Sequence, residues 1–255
     1  MNRALTVARH DLVWLRRDPA PVITMLLTPA LLMFFIKPLY VRALDRLGYS
    51  GVNGAELAVP GMTVMFSFFM AGLVTESVFR EHGLNTWARL RVSPLRDTEL
   101  MTGKVRPVWS WSWRSPVCCS CSAGWSWTCG YGGSLLALLA VMTALSTCVV
   151  AFSFLLCAVA RTRRQAFAYE RVTTLVWVIL GGTLVPTELM ADWVGPLAGF
   201  TPVYWASHGY REVILNGEGV AGVLPHVGVL CAFAALFVAL AVWRFNGETD
   251  KQHWD

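Results

Sequence analysis

The sequence predicts an all-α, polytopic membrane protein: six transmembrane helices, an N-terminal interfacial helix, and re-entrant external helices before the last span. Three observations carry this reading. Hydrophobic residues make up 55% of the chain and charged ones 15%, with a mean hydropathy of +0.51, so there are too few charges to cover a 255-residue soluble globule. A spanning helix needs roughly 20 largely apolar residues, and such runs occur near 20–41, 57–75, 134–160, 171–190 and 220–243. Lys and Arg, finally, concentrate in alternate connections, as inner loops do.

The competing reading of the runs is buried core helices of a large soluble protein, but 58–75 and 132–160 contain no charged residue at all. A cleaved signal peptide does not fit the first run either. Arg16, Arg17 and Asp18 precede it at a distance, and Lys37, Pro38 and Arg42 follow where a small-residue cleavage site belongs.

Residues 1–19 form the first element. In RALTVARHDLVWLRR, at 3–17, Leu5, Ala8, Leu12 and Leu15 fall near one side of a helix and Arg9 and Arg16 on another. That pattern suits a helix lying along the inner membrane surface, or a charged lead-in that only sets topology.

Orientation follows from the cationic residues. Arg3, Arg9, Arg16 and Arg17 lie before the first span; Arg80, Arg89, Arg91, Arg96 and Lys104 lie in 80–104; Arg161, Arg163, Arg164 and Arg171 lie in 161–171; Arg244 and Lys251 lie in the tail. The intervening loops hold only Arg42, Arg46 and Arg211. This split fits six spans with both termini cytoplasmic in a bacterial plasma membrane, provided that 105–131 also crosses. The net charge of +5 is then placed for anionic lipid headgroups, and no nucleic-acid partner is implied.

The segment 105–131 is unlike the rest. It holds five of the twelve Trp and four of the seven Cys, as VWSWSWRSPVCCSCSAGWSWTCGYGG. In GC-rich codons, Trp-Ser-Trp-Ser-Trp becomes a run of valines when read one base earlier, and Cys-Cys-Ser-Cys-Ser becomes Leu and Val. The pattern is that of two compensating frameshifts replacing a Leu/Val-rich helix between about Arg106 and Gly133, a hypothesis that an intact single frame across close relatives would overturn. The rival is a metal or disulfide cluster of Cys118, Cys119, Cys121 and Cys129, whose spacing lacks the paired C-x-x-C of zinc sites. No metal and no cofactor is expected. Cys148, Cys157 and Cys231 lie singly in apolar runs and read as small hydrophobes.

Within the first span Pro29 predicts a kink, and Lys37, toward the outer end, either snorkels to the interface or lines a translocation path. The second span begins at Pro60-Gly61 and ends at Glu76. Its Phe66, Phe68 and Phe69 serve packing or, as the same surface, an apolar cargo; Lys37, Phe66 and Phe69 are the candidate path residues. The fifth span, 171–190, is short. The half-apolar stretch at 186–219, broken by Pro186, Pro196 and Pro202, reads as helices that dip into the outer leaflet and return, or as a plain external loop anchored by Trp193, Tyr204, Trp205 and Tyr210.

Signals of catalysis are poor. No G-x-x-x-x-G-K-[ST] phosphate loop, H-E-x-x-H or G-x-S-x-G occurs. Ser207 beside His208 is adjacency, not a nucleophile-base pair. His226, near the start of the last span, reads as an interfacial or packed residue rather than a proton relay. Glu76, Glu170, Glu188 and Asp192 sit at span ends, which disfavours the intramembrane carboxylates of ion coupling.

The stretch FREHGLNTWARLRVSPLRDTELMTGKV at 79–105, ARTRRQA at 160–166, and the Pro-rich external segment at 186–217 together resemble the permease subunits of type-2 ABC exporters, the membrane components in the style of daunorubicin-resistance and nodulation-protein transporters. The resemblance covers nearly the whole length. It implies one permease domain over 1–255 that pairs with itself or a sister subunit and with two separate cytosolic ABC ATPase subunits. It further implies that Glu81, Thr86, Trp87, Leu90, Arg91, Ser93 and Pro94, within a cytosolic loop at 76–104, form the segment that docks on the ATPase. Apolar Trp87, Leu90 and Pro94 favour a docking surface there over a bare topology signal. The expected function is outward movement of a drug, lipid or glycolipid-like cargo. The alternative is a membrane scaffold or assembly protein that moves nothing, and the segment at 105–133 is where the chain departs from the family pattern.

Overall fold

A computed structural model describes residues 20–46, 54–72, 75, 79, 134–187 and 190–244. Within them lie seven helices and no strand: α1 (Ala20–Arg46), α2 (Ala55–Phe69), α3 (Leu135–Val159), α4 (Arg163–Leu180), α5 (Val194–Ala198), α6 (Pro202–Ile214) and α7 (Val220–Arg244). The expected interfacial helix at 1–19, the loop at 80–104 and the segment at 105–131 fall outside the described residues.

α3 and α7, 25 residues each, are the two helices among the described residues that combine spanning length with an apolar sequence throughout. They lie along each other in parallel. Near their starts, Val141 and His226 both border Gly209 of α6, where an added methyl would sit 3.4 Å from the Val141 Cγ atoms and 3.3 Å from the His226 Cβ. Eleven residues further along both helices, the rings of Phe152 and Phe237 are 5.7 Å apart. Equal steps on both helices keep one register over three turns.

α1 and α2 form an antiparallel hairpin. Gly54, with φ +74°, lies against Val41 and the Lys37 carbonyl, and Gly61, further into α2, lies near the Tyr40 hydroxyl. The sequence expectation that Pro60-Gly61 opens the second span is corrected here: the helix starts at Ala55 and carries Pro60 inside it. Pro60 removes one amide donor from the ladder, which a helix buried on nearly all sides tolerates when its neighbours cover the freed carbonyl. The hydroxyl side chains of this stretch bond locally. Thr63, Ser67 and Thr75 donate their hydroxyls to the carbonyls of Val59, Thr63 and Ala71, at 2.8, 2.7 and 3.0 Å.

The run expected at 171–190 is realised differently. α4 starts eight residues earlier because Thr162 caps it: its hydroxyl accepts from the Gln165 amide at 3.3 Å, while the Gln165 side chain accepts from the Arg161 amide at 3.2 Å. It ends at Gly181-Gly182, where Gly182 takes φ +72°. Gly181 also admits α6: a methyl there would sit 2.6 Å from a Val203 methyl and 2.9 Å from the Tyr204 amide.

In the segment expected to be external, α5 has five residues and α6 thirteen. At about 1.5 Å per residue, neither reaches across a hydrocarbon core of about 30 Å. Thr201 caps α6 by accepting from the Tyr204 amide at 3.3 Å, with Pro202 in the first turn. α6 packs against α2, α3, α4 and α7, burying Val203, Ala206, Tyr210, Val213 and Ile214. The chain that sequence reads as half-apolar is therefore drawn into the helix bundle.

Candidate functional site

The expected docking residues Glu81, Thr86, Trp87, Leu90, Arg91, Ser93 and Pro94 lie outside the described residues. The approach to them is described. Phe79 is helical and buried in a small cluster with Ala160 and Ala166, so the chain entering the 80–104 loop rests on the elbow between α3 and α4. Seven residues before, Gly72 lies against the Phe167 ring and the Glu170 carboxylate. Gly72 and Phe79 thus both lie against the start of α4, where the Arg163 guanidinium is 5.6 Å from the Phe167 ring centre.

The candidate path residues occupy two levels of the α1–α2 hairpin. Lys37 is half-buried on α1, and its carbonyl lies beside Gly54 at the start of α2. Phe66 and Phe69 are half-buried at the other end, with ring centres 6.0 Å apart, packed on a cluster that includes Met33, Met62, Met65 and Val178. Twelve residues of helix, about 18 Å, separate Gly54 from Phe66, so Lys37 does not join the phenylalanines. Phe68 points elsewhere. Its ring meets Phe152 of α3 at 6.0 Å and Trp177 of α4 at 5.6 Å, and Trp177 stacks on Phe237 of α7 at 5.7 Å. Four rings from four helices make the centre of the bundle.

Sequence reasoning placed Glu170 at the end of a span. Glu170 lies inside α4, 2% exposed, on a face that repeats every fourth residue as Ala166, Glu170, Thr174 and Val178. The Glu170 Oε1 and the Thr174 hydroxyl oxygen are both buried without a hydrogen-bond partner. The signal available in sequence was that fourfold repeat, in which a carboxylate occupies a position otherwise apolar or small. Of the other three carboxylates, Asp192 is exposed, while Glu76 and Glu188 lie outside the described residues.

At the other end of the bundle, His208 and His226, two of the five histidines, both lie at α6. The Trp205 and His226 rings are 5.7 Å apart, and Tyr204 and His208 are 4.0 Å apart. Ser207 donates to the carbonyls of Gly181 at 3.1 Å and Tyr204 at 2.9 Å, while His208 meets the Tyr204 carbonyl through Nδ1 at 3.1 Å. The serine hydroxyl is thus committed to backbone rather than offered to imidazole, and the arrangement is no nucleophile-base pair. Among the described residues no three His, Cys, Asp or Glu converge as metal ligands. Cys148 and Cys157 are buried cysteines and Cys231 an exposed one.

Comparison with known proteins bears on what this bundle is. The family model described as "ABC-2 type transporter" matches residues 4–215. A linearmycin resistance permease protein of Bacillus subtilis (strain 168) is 27% identical over 169 residues, which are 66% of this chain and 43% of that protein. A protein of Escherichia coli (strain K12) named "Probable multidrug ABC transporter permease" is 27% identical over 146 residues, 57% of this chain and 40% of that protein. The chain spans less than half the length of these curated relatives.

Proposed function

The chain belongs to the ABC-2 type transporter family and is a polytopic membrane protein, helical without strands among its described residues, and from this premise we propose that it is the permease subunit of an ATP-driven exporter. In this reading it moves a drug, lipid or glycolipid-like cargo outward, and separate cytosolic ABC ATPase subunits supply the work. The observation that carries the proposal is the family match over 4–215 in a chain with no phosphate-binding loop of its own. The printed names of the relatives, a linearmycin resistance permease and a multidrug permease, fit the cargo class.

The proposed topology is six spans with both termini in the cytoplasm of a bacterial cell and 1–19 on the inner surface. α1, α2, the 105–131 segment, α3, α4 and α7 make the spans; α5 and α6 enter the outer leaflet and return. Supporting this, α6 is too short to cross yet is packed on four helices, the placement that irregular backbone at membrane depth requires. α1 exposes Leu31, Phe34, Phe35 and Leu39, and α4 exposes Val172, Leu175, Val176 and Ile179. These faces are for lipid and for a second permease, identical or sister.

In the proposed mechanism, the loop segment with Glu81, Thr86, Trp87, Leu90, Arg91, Ser93 and Pro94 docks on the ATPase. Closure of the ATPase pair on ATP displaces that segment. Because Phe79 seats the start of the loop on the α3–α4 elbow, the displacement reaches α2 and α4 together and shifts the bundle between states of different cargo affinity. Lys37, Phe66 and Phe69 are proposed to border the path. The test is co-purification: tagged chain should retain its ABC ATPase partner, and Trp87→Asp with Leu90→Asp should lower the retained ATPase about tenfold or more while the chain still inserts. Undiminished retention would remove the docking role from this segment.

A further inference from the structure

One side of α4 carries Arg164, Ala168 and Arg171, all exposed. The two arginines are two helical turns apart, about 10 Å along the axis, and within about 20° of each other around it. Ala168 lies between them, so both guanidinium groups can reach one ligand over a methyl. The same side continues as Val172, Leu175 and Ile179, which are 65%, 53% and 49% exposed, while Ala166, Glu170, Thr174 and Val178 turn into the bundle. Arg161 and Arg163 are exposed at the same end, Arg163 beside the Phe167 ring. Glu170 is the one carboxylate in 161–180. It feels the charge of Arg171, but with four arginines against it the stretch stays positive.

We infer that this side of α4 binds an anionic glycerophospholipid, its phosphodiester between Arg164 and Arg171 over Ala168 and an acyl chain along Val172, Leu175 and Ile179. The inference rests on the topology proposed above, which sets the start of α4 at the inner leaflet, and not on export. Guanidinium forks match phosphate oxygens and donate charge-assisted hydrogen bonds to them. The two halves of the surface together select the occupant. A cytosolic protein or a free anion leaves the apolar row uncovered. A second copy docked here across a two-fold axis would set Arg164 and Arg171 against the same two arginines, and like charges repel most where water is scarce. A zwitterionic lipid offers the phosphate but brings its own cation toward the arginine pair, so a headgroup of net negative charge binds better.

The test titrates the full chain, in a neutral detergent and without ATPase or ATP, with phosphatidylglycerol or with phosphatidylcholine of the same acyl chains, counting bound lipid by native mass spectrometry. Glycerol 3-phosphate serves as the headgroup without chains. The expected result is phosphatidylglycerol binding about tenfold or more tighter than phosphatidylcholine, undisturbed by an equal concentration of glycerol 3-phosphate. Arg164→Gln with Arg171→Gln should erase the preference, whereas Arg42→Gln with Arg46→Gln, the same loss of charge at exposed positions of α1, should keep it. Ala168→Trp decides the matter where the α4 arginine variant disturbs folding: every charge stays, the approach between the arginines is filled, and the preference falls. Equal binding of the two lipids, a preference unchanged in either α4 variant, or one lost equally in the α1 variant overturns the site. Displacement by glycerol 3-phosphate overturns it too, in favour of a plain anion site. The exporter reading is judged by ATPase pairing and efflux, so it stands or falls separately from these outcomes.

Discussion

Tyr40 and Gly61 meet at one backbone oxygen. The Tyr40 hydroxyl donates to the Thr183 carbonyl at 2.6 Å, 143 residues further along the chain, and a methyl on Gly61 would lie 2.6 Å from that same oxygen. The hydrogen bond ties α1 to the end of α4, and the glycine lets α2 come close enough for both to share the junction. Tyr40→Phe should lower stability by about 1 kcal/mol, the net worth of one buried hydrogen bond. Gly61→Val should cost more, about 1–3 kcal/mol, because the atom it meets is backbone and cannot swing away. Thermal unfolding of purified protein in detergent checks both, and the double variant should lose less than the sum because the two changes act on one oxygen. Nothing in the sequence around Tyr40 signals a partner in a loop so far away; only the folded chain shows it. Glu170 was half legible: its fourfold spacing with Ala166, Thr174 and Val178 was visible, but the Arg163, Arg164 and Arg171 around it made the region read as a charged loop.

At the scale of elements, hydropathy located apolar runs and missed where helices begin. A run reports what a solvent of hydrocarbon will accept, whereas a helix starts where its free amides find acceptors. α4 shows the difference: its amide cap is Thr162, nine residues before the apolar run expected at 171–190. Thr162→Ala should destabilise the first turn by about 1 kcal/mol. Hydrogen exchange should show faster amides near 163–166 and little change in α3 or α7. Faster exchange spread evenly over the bundle would contradict a local capping role. α3 and α7 were the easiest elements to read, being apolar throughout, but their parallel register was not, since it is set by Gly209 and by the Phe152–Phe237 contact rather than by either helix's own period. The segment expected to be external was read as half-apolar and broken by proline. The structure resolves that mixture into α5 and α6, whose apolar sides turn inward to the other helices.

At the scale of the whole molecule, composition and loop charge gave the class, and the order of several weak motifs gave the family, later matched over 4–215. A cargo was never legible in the sequence, because which side chains meet, as Phe68, Phe152, Trp177 and Phe237 do, is a property of the bundle. The central claim is that this bundle does transport work powered by a partner. The measurement that tests it most directly is ATP-dependent efflux of amphiphilic dyes and antibiotics from cells co-expressing the chain with its ABC ATPase, with a Walker-lysine variant of that ATPase as the control. The account predicts efflux that disappears in the control. Efflux that persists in the control, or none even after residues 106–133 are replaced by their reframed Leu/Val version, would contradict it.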